Sequence, residues 1–311
     1  MHISTISIPN PFFEGRNSVY VLHADPITLI DTGVATQKAY DALRDNLRAL
    51  KLSISDIKRV VLTHKHIDHI GNAWRIQQES NAEILIHELE CKAISNVDPD
   101  SQRFNELVSQ KLELWSVPAD KRITGSSDSK PMPNWEIESA VPTPLTDGQT
   151  LEFENDELQI IHTPGHTMGS ICLRWKEKLF SGDHVLFDLS PNIGAGDMRH
   201  QGVLKQYLNS LRDVQKLDCE EAFPGHGPPA SGIWQRCDEL YSHHQQRLAR
   251  IEEILSTATP KTVYEIAIEL FGELDQFHVV LGCAEANAHL ELLLEEQRIV
   301  RNGDGYIKAA R

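Results

Sequence analysis

One six-residue segment constrains this chain more than any other feature: His64-Lys65-His66-Ile67-Asp68-His69 carries four metal-ligand side chains. It follows directly on KRVVLT at 58–63, a short β-branched run with the character of a buried strand. Side chains two apart in an extended segment point to the same side, so His64 and His66 face together. Asp68 and His69 fall on the turn that follows and can face a second ion. Imidazole nitrogen and carboxylate oxygen suit Zn²⁺ or Fe²⁺. A polar loop capping a helix near Gly71 is the plainer alternative, but it leaves four ligand types in six residues without a reason.

Three later segments share this form, a strand and then a ligand at a glycine-containing turn. They are His166 in TPGHTMGS (163–170), Asp183 in SGDH (181–184) and His226 in PGHG (224–227). A histidine beside glycine is, singly, an ordinary turn residue. Four strand-end clusters of ligand types reinforce one another and imply convergence at one edge of stacked sheets.

The pattern between the clusters is layered α/β. Alternating runs at 3–8, 18–24 and 27–33 predict a β meander ending at Asp31-Thr32-Gly33, and helical spacing follows from Thr36, a plausible N-cap, to Leu52. A helix over 73–80 and a strand over 82–87 complete a β-α-β unit. Residues 98–146 contain one helical stretch (103–115) and a turn-rich, apolar-poor stretch, and read as an insertion or lid. Hairpins are expected over 149–163 and 170–183, then a helix over 204–214. A long amphipathic helix from 233 to 256 ends before Pro260. Helices over 262–271 and about 283–296 and a hairpin at 298–309 around Asn302-Gly303 outline a small winged-helix-like module. The domain reading is therefore 1–230 catalytic, 231–260 a linking helix, and 261–311 the module.

Composition narrows the function classes. The 311 residues carry a net charge of −15, a poor match to nucleic acid or an anionic membrane. No apolar run is long enough to span a bilayer, and the N-terminus has no signal-peptide pattern. Five scattered cysteines without a CxxC motif read as free thiols in a reducing compartment, hence a cytoplasmic protein. Neither GxSxG nor a cysteine within the ligand motifs offers a covalent nucleophile, and GAGDMR at 194–199 is neither a dinucleotide fingerprint nor a P-loop.

THKHIDHIG, TPGHTMGS, SGD and PGHG, in this order, resemble the metallo-β-lactamase fold superfamily of hydrolases over roughly residues 1–230. The resemblance implies an αββα sandwich and a dinuclear centre, with two divalent ions, zinc first and iron or manganese next. Carried over position by position, it implies that His64, His66 and His166 ligate one ion. Asp68, His69 and His226 would ligate the other, with Asp183 bridging and Asp31-Thr32-Gly33 as the buried turn beside the metal loop. Two ions about 3.5–4 Å apart can hold a bridging hydroxide that attacks a carbonyl carbon or phosphorus. Asp68, a ligand first, is also the candidate catalytic acid–base group. The oxygen-reducing di-iron variant has Glu in the first motif, so that chemistry is set aside. The absence of an export signal sets aside a true β-lactamase.

Two sub-branches compete for the substrate. TPGHTMGS is similar to glyoxalase-II-like thioesterases. The tail and SGDHVLFDLSPNIG at 181–194 resemble the β-lactamase-like protein 2 branch, which includes a single-stranded-RNA endonuclease. Residues 261–311 carry five Lys/Arg against nine Asp/Glu, which disfavours phosphate-backbone binding and suits a packing or homodimer element. The expected function is hydrolysis of a small ester, lactone or thioester. A metal-dependent phosphodiesterase or RNA endonuclease is the alternative, and a weakly catalytic ligand- or partner-binding effector the third reading. His184 is expected to pack, with contact to substrate or support of a ligand as the alternative; His243 and His244 are expected to make surface or interdomain contacts, and His87, His162 and His200 to be structural or solvated.

Overall fold

The meander predicted for the N-terminus is present as β1 (His2–Ile8), β2 (Asn17–His23) and β3 (Thr28–Ile30), paired antiparallel in that order. The computed structural model describes residues 2–12, 15–95, 104–122 and 139–309. Helix α1 (Gln37–Ala49) begins where expected, with the Thr36 hydroxyl accepting from the Ala39 amide at 3.1 Å. The chain continues through β4 (Arg59–Val61), α2 (Ile67–Ile70), α3 (Ala73–Ser80), β5 (Glu83–His87), α4 (Cys91–Ile94), α5 (Phe104–Leu114) and β6 (Pro142–Leu145). Strands β3 to β6 pair in parallel, giving a first sheet in chain order.

The second sheet holds β7 (Thr150–Phe153), β8 (Asp156–His162), β9 (Ile171–Trp175) and β10 (Lys178–Gly182). After α6 (Val203–Gln215) come β11 (Glu221–Pro224) and β12 (Ala230–Ser231). Its spatial order is β12-β11-β10-β9-β8-β7, with β10 and β11 parallel. The two sheets face each other across a core of Leu22, Ile30, Val61, Leu158 and Leu173, centred on the rings of Tyr20, Phe180 and Phe223. Leu43, Leu47 and Ile76 of α1 and α3 cover Val60 and Ile84 on the outer face of the first sheet. Helix α6 covers the second sheet with Leu204, Tyr207 and Leu211. The result is the expected αββα sandwich.

The chain closes with α7 (Ile233–Ile254), α8 (Val263–Phe271), α9 (Phe277–Glu295) and the hairpin β13 (Ile299–Asn302)–β14 (Gly305–Lys308). Thr262 and Glu265 form a capping box at the start of α8. Helix α9 starts six residues earlier than its apolar spacing predicts. It runs through Gly282, where a Cβ would lie 2.6 Å from Leu274 Cδ1, so the glycine admits the segment between α8 and α9 to close contact. Cys237, Leu240, Ile266, Val280, Leu290 and Tyr306 from this region join Cys172, Leu179 and Ala222 in one continuous core. Within the expected insertion, 98–103 and 123–138 lie outside the described residues, while α5 buries Val108 and Leu112 in that same core. Among the described residues no helix is long and apolar enough to cross a membrane. All five cysteines are free thiols.

Phe180 is fully buried between the sheets. Phe180→Ala is expected to cost about 3–5 kcal/mol in denaturant unfolding, because the rigid sheets relax little around the lost ring. A cost below about 1 kcal/mol would contradict this account of the core.

Candidate metal centre

The strand ends that carry the four motifs meet at one end of the sandwich. His64 and His66 follow β4, His166 follows β8, Asp183 follows β10 and His226 follows β11. His66 Nδ1 lies 3.0 Å from His64 Nε2 and 3.0 Å from His166 Nε2. The outer nitrogens of the flanking rings are committed as donors. His166 Nδ1 donates to the Asn192 carbonyl at 3.0 Å. His64 Nδ1 faces Thr63 Oγ1 at 3.0 Å, and that hydroxyl already gives its proton to Asp31, so it accepts from the ring. Both Nε2 atoms therefore present lone pairs, and one proton on His66 cannot satisfy the two. A cation can.

The second group is Asp68, His69 and His226. His226 Nε2 is 3.3 Å from Asp68 Oδ2, and His69 Nε2 is 3.7 Å from the same oxygen. Asp183 lies between the groups. Its Oδ1 is 3.4 Å from His69 Nε2, and its Oδ2 is 3.4 Å from His226 Nε2 and 3.7 Å from His166 Nε2. His69 Nε2, His226 Nε2 and Asp183 Oδ1 are buried with no hydrogen-bond partner, which in a polar cluster is the mark of a site built for an ion. All seven residues singled out in the sequence are thus brought together. The donor set fits divalent metal.

Asp31 anchors both groups from behind. It adopts a left-handed backbone conformation (φ 61°) at the end of β3. Its Oδ1 accepts from the Thr63 amide at 2.8 Å, and its Oδ2 accepts from Thr63 Oγ1 and His69 Nδ1, each at 2.8 Å. One carboxylate thereby fixes the tautomers of His64 and His69. Gly225 is required beside Asp183, since a Cβ there would meet Asp183 Oδ1 at 2.2 Å.

Several supporting residues were not singled out in the sequence. Asn10 and Asn17 each donate a side-chain N–H to Asp68 Oδ2 at 3.0 Å. Lys65 pairs with Asp197 at 2.6 Å, and Asp197 also accepts from the Met168 amide at 2.7 Å. None of them stands out in its local sequence; Asn17 is the polar first residue of β2, beside Ser18. His184 is buried and meets Tyr207 edge-on, as packing predicts. His244 is not a surface residue: it is fully buried in α7, 3.1 Å from His289 of α9, because α9 packs over that face of α7. His244, Glu285 and His289 form a third ligand-type group, but both Glu285 oxygens are taken, one by Arg247 and one by Asn192.

The two groups differ in charge. Burial, then the neighbouring His166, hold His66 down at about 3, and burial also keeps His64 neutral. Burial opposes protonation of His226 as well, but Asp183 and Asp68 outweigh it and lift the ring to about 10. His69 is raised in the same way, by Asp183 first and then Asp68 and Asp31. Asp68 is held below the usual carboxylate range, with His69 and His226 overcoming the effect of burial.

An αββα sandwich with a His/Asp cluster at its strand ends defines a class of metallohydrolases, and the comparisons with known proteins agree. The family profile described as "Metallo-beta-lactamase superfamily" matches residues 12–226. The chain belongs to that superfamily and is a hydrolase. It is 28% identical to "Probable metallo-hydrolase YqjP" of Bacillus subtilis, over 97% of this chain and 95% of the relative. It is 31% identical to "Atrochrysone carboxyl ACP thioesterase" of Aspergillus fumigatus, over 82% of this chain and 47% of that one. The crystal structure of the metallo-beta-lactamase family protein TTHA1429 from Thermus thermophilus superposes with a TM-score of 0.84 at 28% identity, covering 98% of each chain.

Zn²⁺ binding to metal-stripped protein at neutral pH should release protons from His69 and His226, so affinity should rise with pH up to about 10. The pairing of His226 with its carboxylates has the opposite consequence for the stripped fold. It stabilises fully below pH 6.5 and fades as pH rises through about 10. Calorimetric titration in buffers of differing ionisation enthalpy checks the release; a heat independent of buffer would refute it.

Proposed function

We propose that this chain is a dinuclear metallohydrolase that cleaves a small ester, lactone or thioester. The position of Asp183 carries the reading, with one oxygen toward His69 and the other toward His226 and His166. His64, His66 and His166 would hold one divalent ion, and Asp68, His69 and His226 the other, with Asp183 shared. The nitrogen-rich donor set favours zinc. Bound there, the two ions would supply Lewis acidity and ionise a water near neutral pH.

The chain's own residues do the rest. Asn10 and Asn17 hold Asp68 through Oδ2. That grip fixes the carboxylate's orientation, so it can align the attacking water and carry its proton to the leaving group. Asp31 keeps His64 and His69 in the tautomers that point Nε2 into the site.

Charge supports an acyl substrate over a polynucleotide. The chain's net charge is −15. Two cations of the C-terminal region are paired with carboxylates at its surface, Lys261 with Glu269 and Arg298 with Glu252 and Glu296. With five Lys/Arg against nine Asp/Glu over 261–311, this region is a poor match to a phosphate backbone. The likeness to a fungal acyl-carrier thioesterase points the same way.

A panel of acyl thioesters, lactones, phosphodiesters and single-stranded RNA, run on metal-analysed protein with His64→Ala as the blank, tests the proposal. Hydrolysis of a thioester or lactone is expected, with kcat lowered by about 10²–10⁴-fold in Asp68→Ala. Metal-dependent cutting of RNA with the acyl substrates untouched would overturn it. Ligand binding without turnover would instead favour an effector.

A further inference from the structure

The glycine-rich segment GAGD at 194–197 belongs to no motif that the hydrolase reading uses, yet it lies between two parts of the molecule that matter. On one side is α9: a Cβ at Gly194 would sit 2.6 Å from the Ala284 carbonyl oxygen. On the other is the metal centre. A Cβ at Gly196 would sit 2.6 Å from the His166 carbonyl oxygen and 2.8 Å from His66 Nε2. With Asn192 and Ile193 it forms a strap (192–197) threaded between the last long helix and the histidines, and at 194 and 196 only glycine passes.

Asn192 begins the strap and bonds in both directions. Its carbonyl accepts the His166 Nδ1 proton at 3.0 Å. Its side-chain amide donates to Glu285 Oε2 at 2.8 Å and to the Leu281 carbonyl at 3.2 Å, both on α9. Its Oδ1 accepts from the Ala195 amide at 3.2 Å, which closes the strap on itself. Glu285 is in turn clamped by Arg247 of α7. The line Arg247–Glu285–Asn192–His166 is continuous, with Glu285 buried and Asn192 half-buried.

We propose that α9 positions the ligand His166 through Asn192, so that the C-terminal helices set the affinity of the His64/His66/His166 group for its ion. This rests on the dinuclear reading above. A ligating imidazole needs its far nitrogen held so that the near one points at the metal, and loss of such a hold costs roughly 10–100-fold in affinity. Here the holding group is a main-chain carbonyl, which no substitution removes. What fixes that carbonyl is the Asn192 side chain and its acceptor on α9. Asn192 and Glu285 are positioning residues; neither touches the reacting atoms.

The experiment is a two-site Zn²⁺ titration of the full chain against a competing chelator, paired with the absorption spectrum of the Co²⁺-loaded protein and thermal unfolding of the stripped protein. Asn192→Ala and Glu285→Leu should weaken one of the two ions by roughly 10–100-fold, leave the other near wild type and alter the Co²⁺ bands. Glu285→Gln keeps an acceptor for Asn192 and should retain most of the affinity. Glu291→Gln is the packing control. Glu291 accepts from the Gly202 amide at 2.9 Å and ties α9 to the start of α6, with no bond to the strap. It should leave both affinities unchanged even where it lowers the unfolding temperature. The proposal falls if Asn192→Ala binds both ions as wild type does. It falls equally if both ions weaken together in step with stability, or if Glu291→Gln shows the same selective loss. Wild-type protein that takes up no second ion would overturn the dinuclear reading itself, and this inference with it.

Discussion

The buried carboxylate of Asp31 is the interaction on which the rest of the site depends. It takes three hydrogen bonds, from the Thr63 amide, the Thr63 hydroxyl and His69 Nδ1. Through them it ties the end of β3 to the loop after β4 and sets a histidine in each donor group. A buried anion so placed must be fully bonded, since an unpaired charge there would cost several kcal/mol. The backbone around it is correspondingly tight. The Thr32 amide and hydroxyl both bond the His69 carbonyl, and Asn72 bonds the carbonyls of Thr32 and Val34. A Cβ at Gly71 would strike the Ala35 nitrogen at 2.2 Å. The metal loop is held from behind by a polar network with little freedom to relax.

Around this anchor the remaining donors are gripped by elements from opposite ends of the chain. Strand β2 holds the His226 turn. The Ser18 amide and hydroxyl bond the Gly225 and Gly227 carbonyls, and the Tyr20 hydroxyl bonds that of Pro224. Helix α9 reaches His166 through the strap at 192–197. Substrate chemistry at such a centre therefore depends on contacts spread over the whole sequence, and the donors are only its visible part.

The donors were legible because four of them crowd into six residues after a strand and the other three follow strands directly beside glycine, local patterns that survive without knowledge of the fold. The sandwich was legible for the same reason: strands and helices alternate with clear periods. The supporting residues were not. Asn10, Asn192 and Glu285 are ordinary polar residues in their local windows, and they acquire meaning only when the chain brings distant segments together. The early start of α9 was hidden by Gly282, whose role is to let Leu274 approach and not to end a helix. The Asn302-Gly303 hairpin was nearly right; the turn falls one residue later, at Gly303-Asp304.

On the positioning role proposed for α9, the placement of the strap bears on how the centre is completed. All seven donors lie at or before His226, whereas α9 spans Phe277–Glu295. A chain that folds as it is synthesised presents its donors before the helix that steadies one of them exists. On the dinuclear reading proposed above, a chain lacking α9 would hold the His64/His66/His166 ion more loosely than the other. The C-terminal region would then act as the latch on a site it does not itself contain.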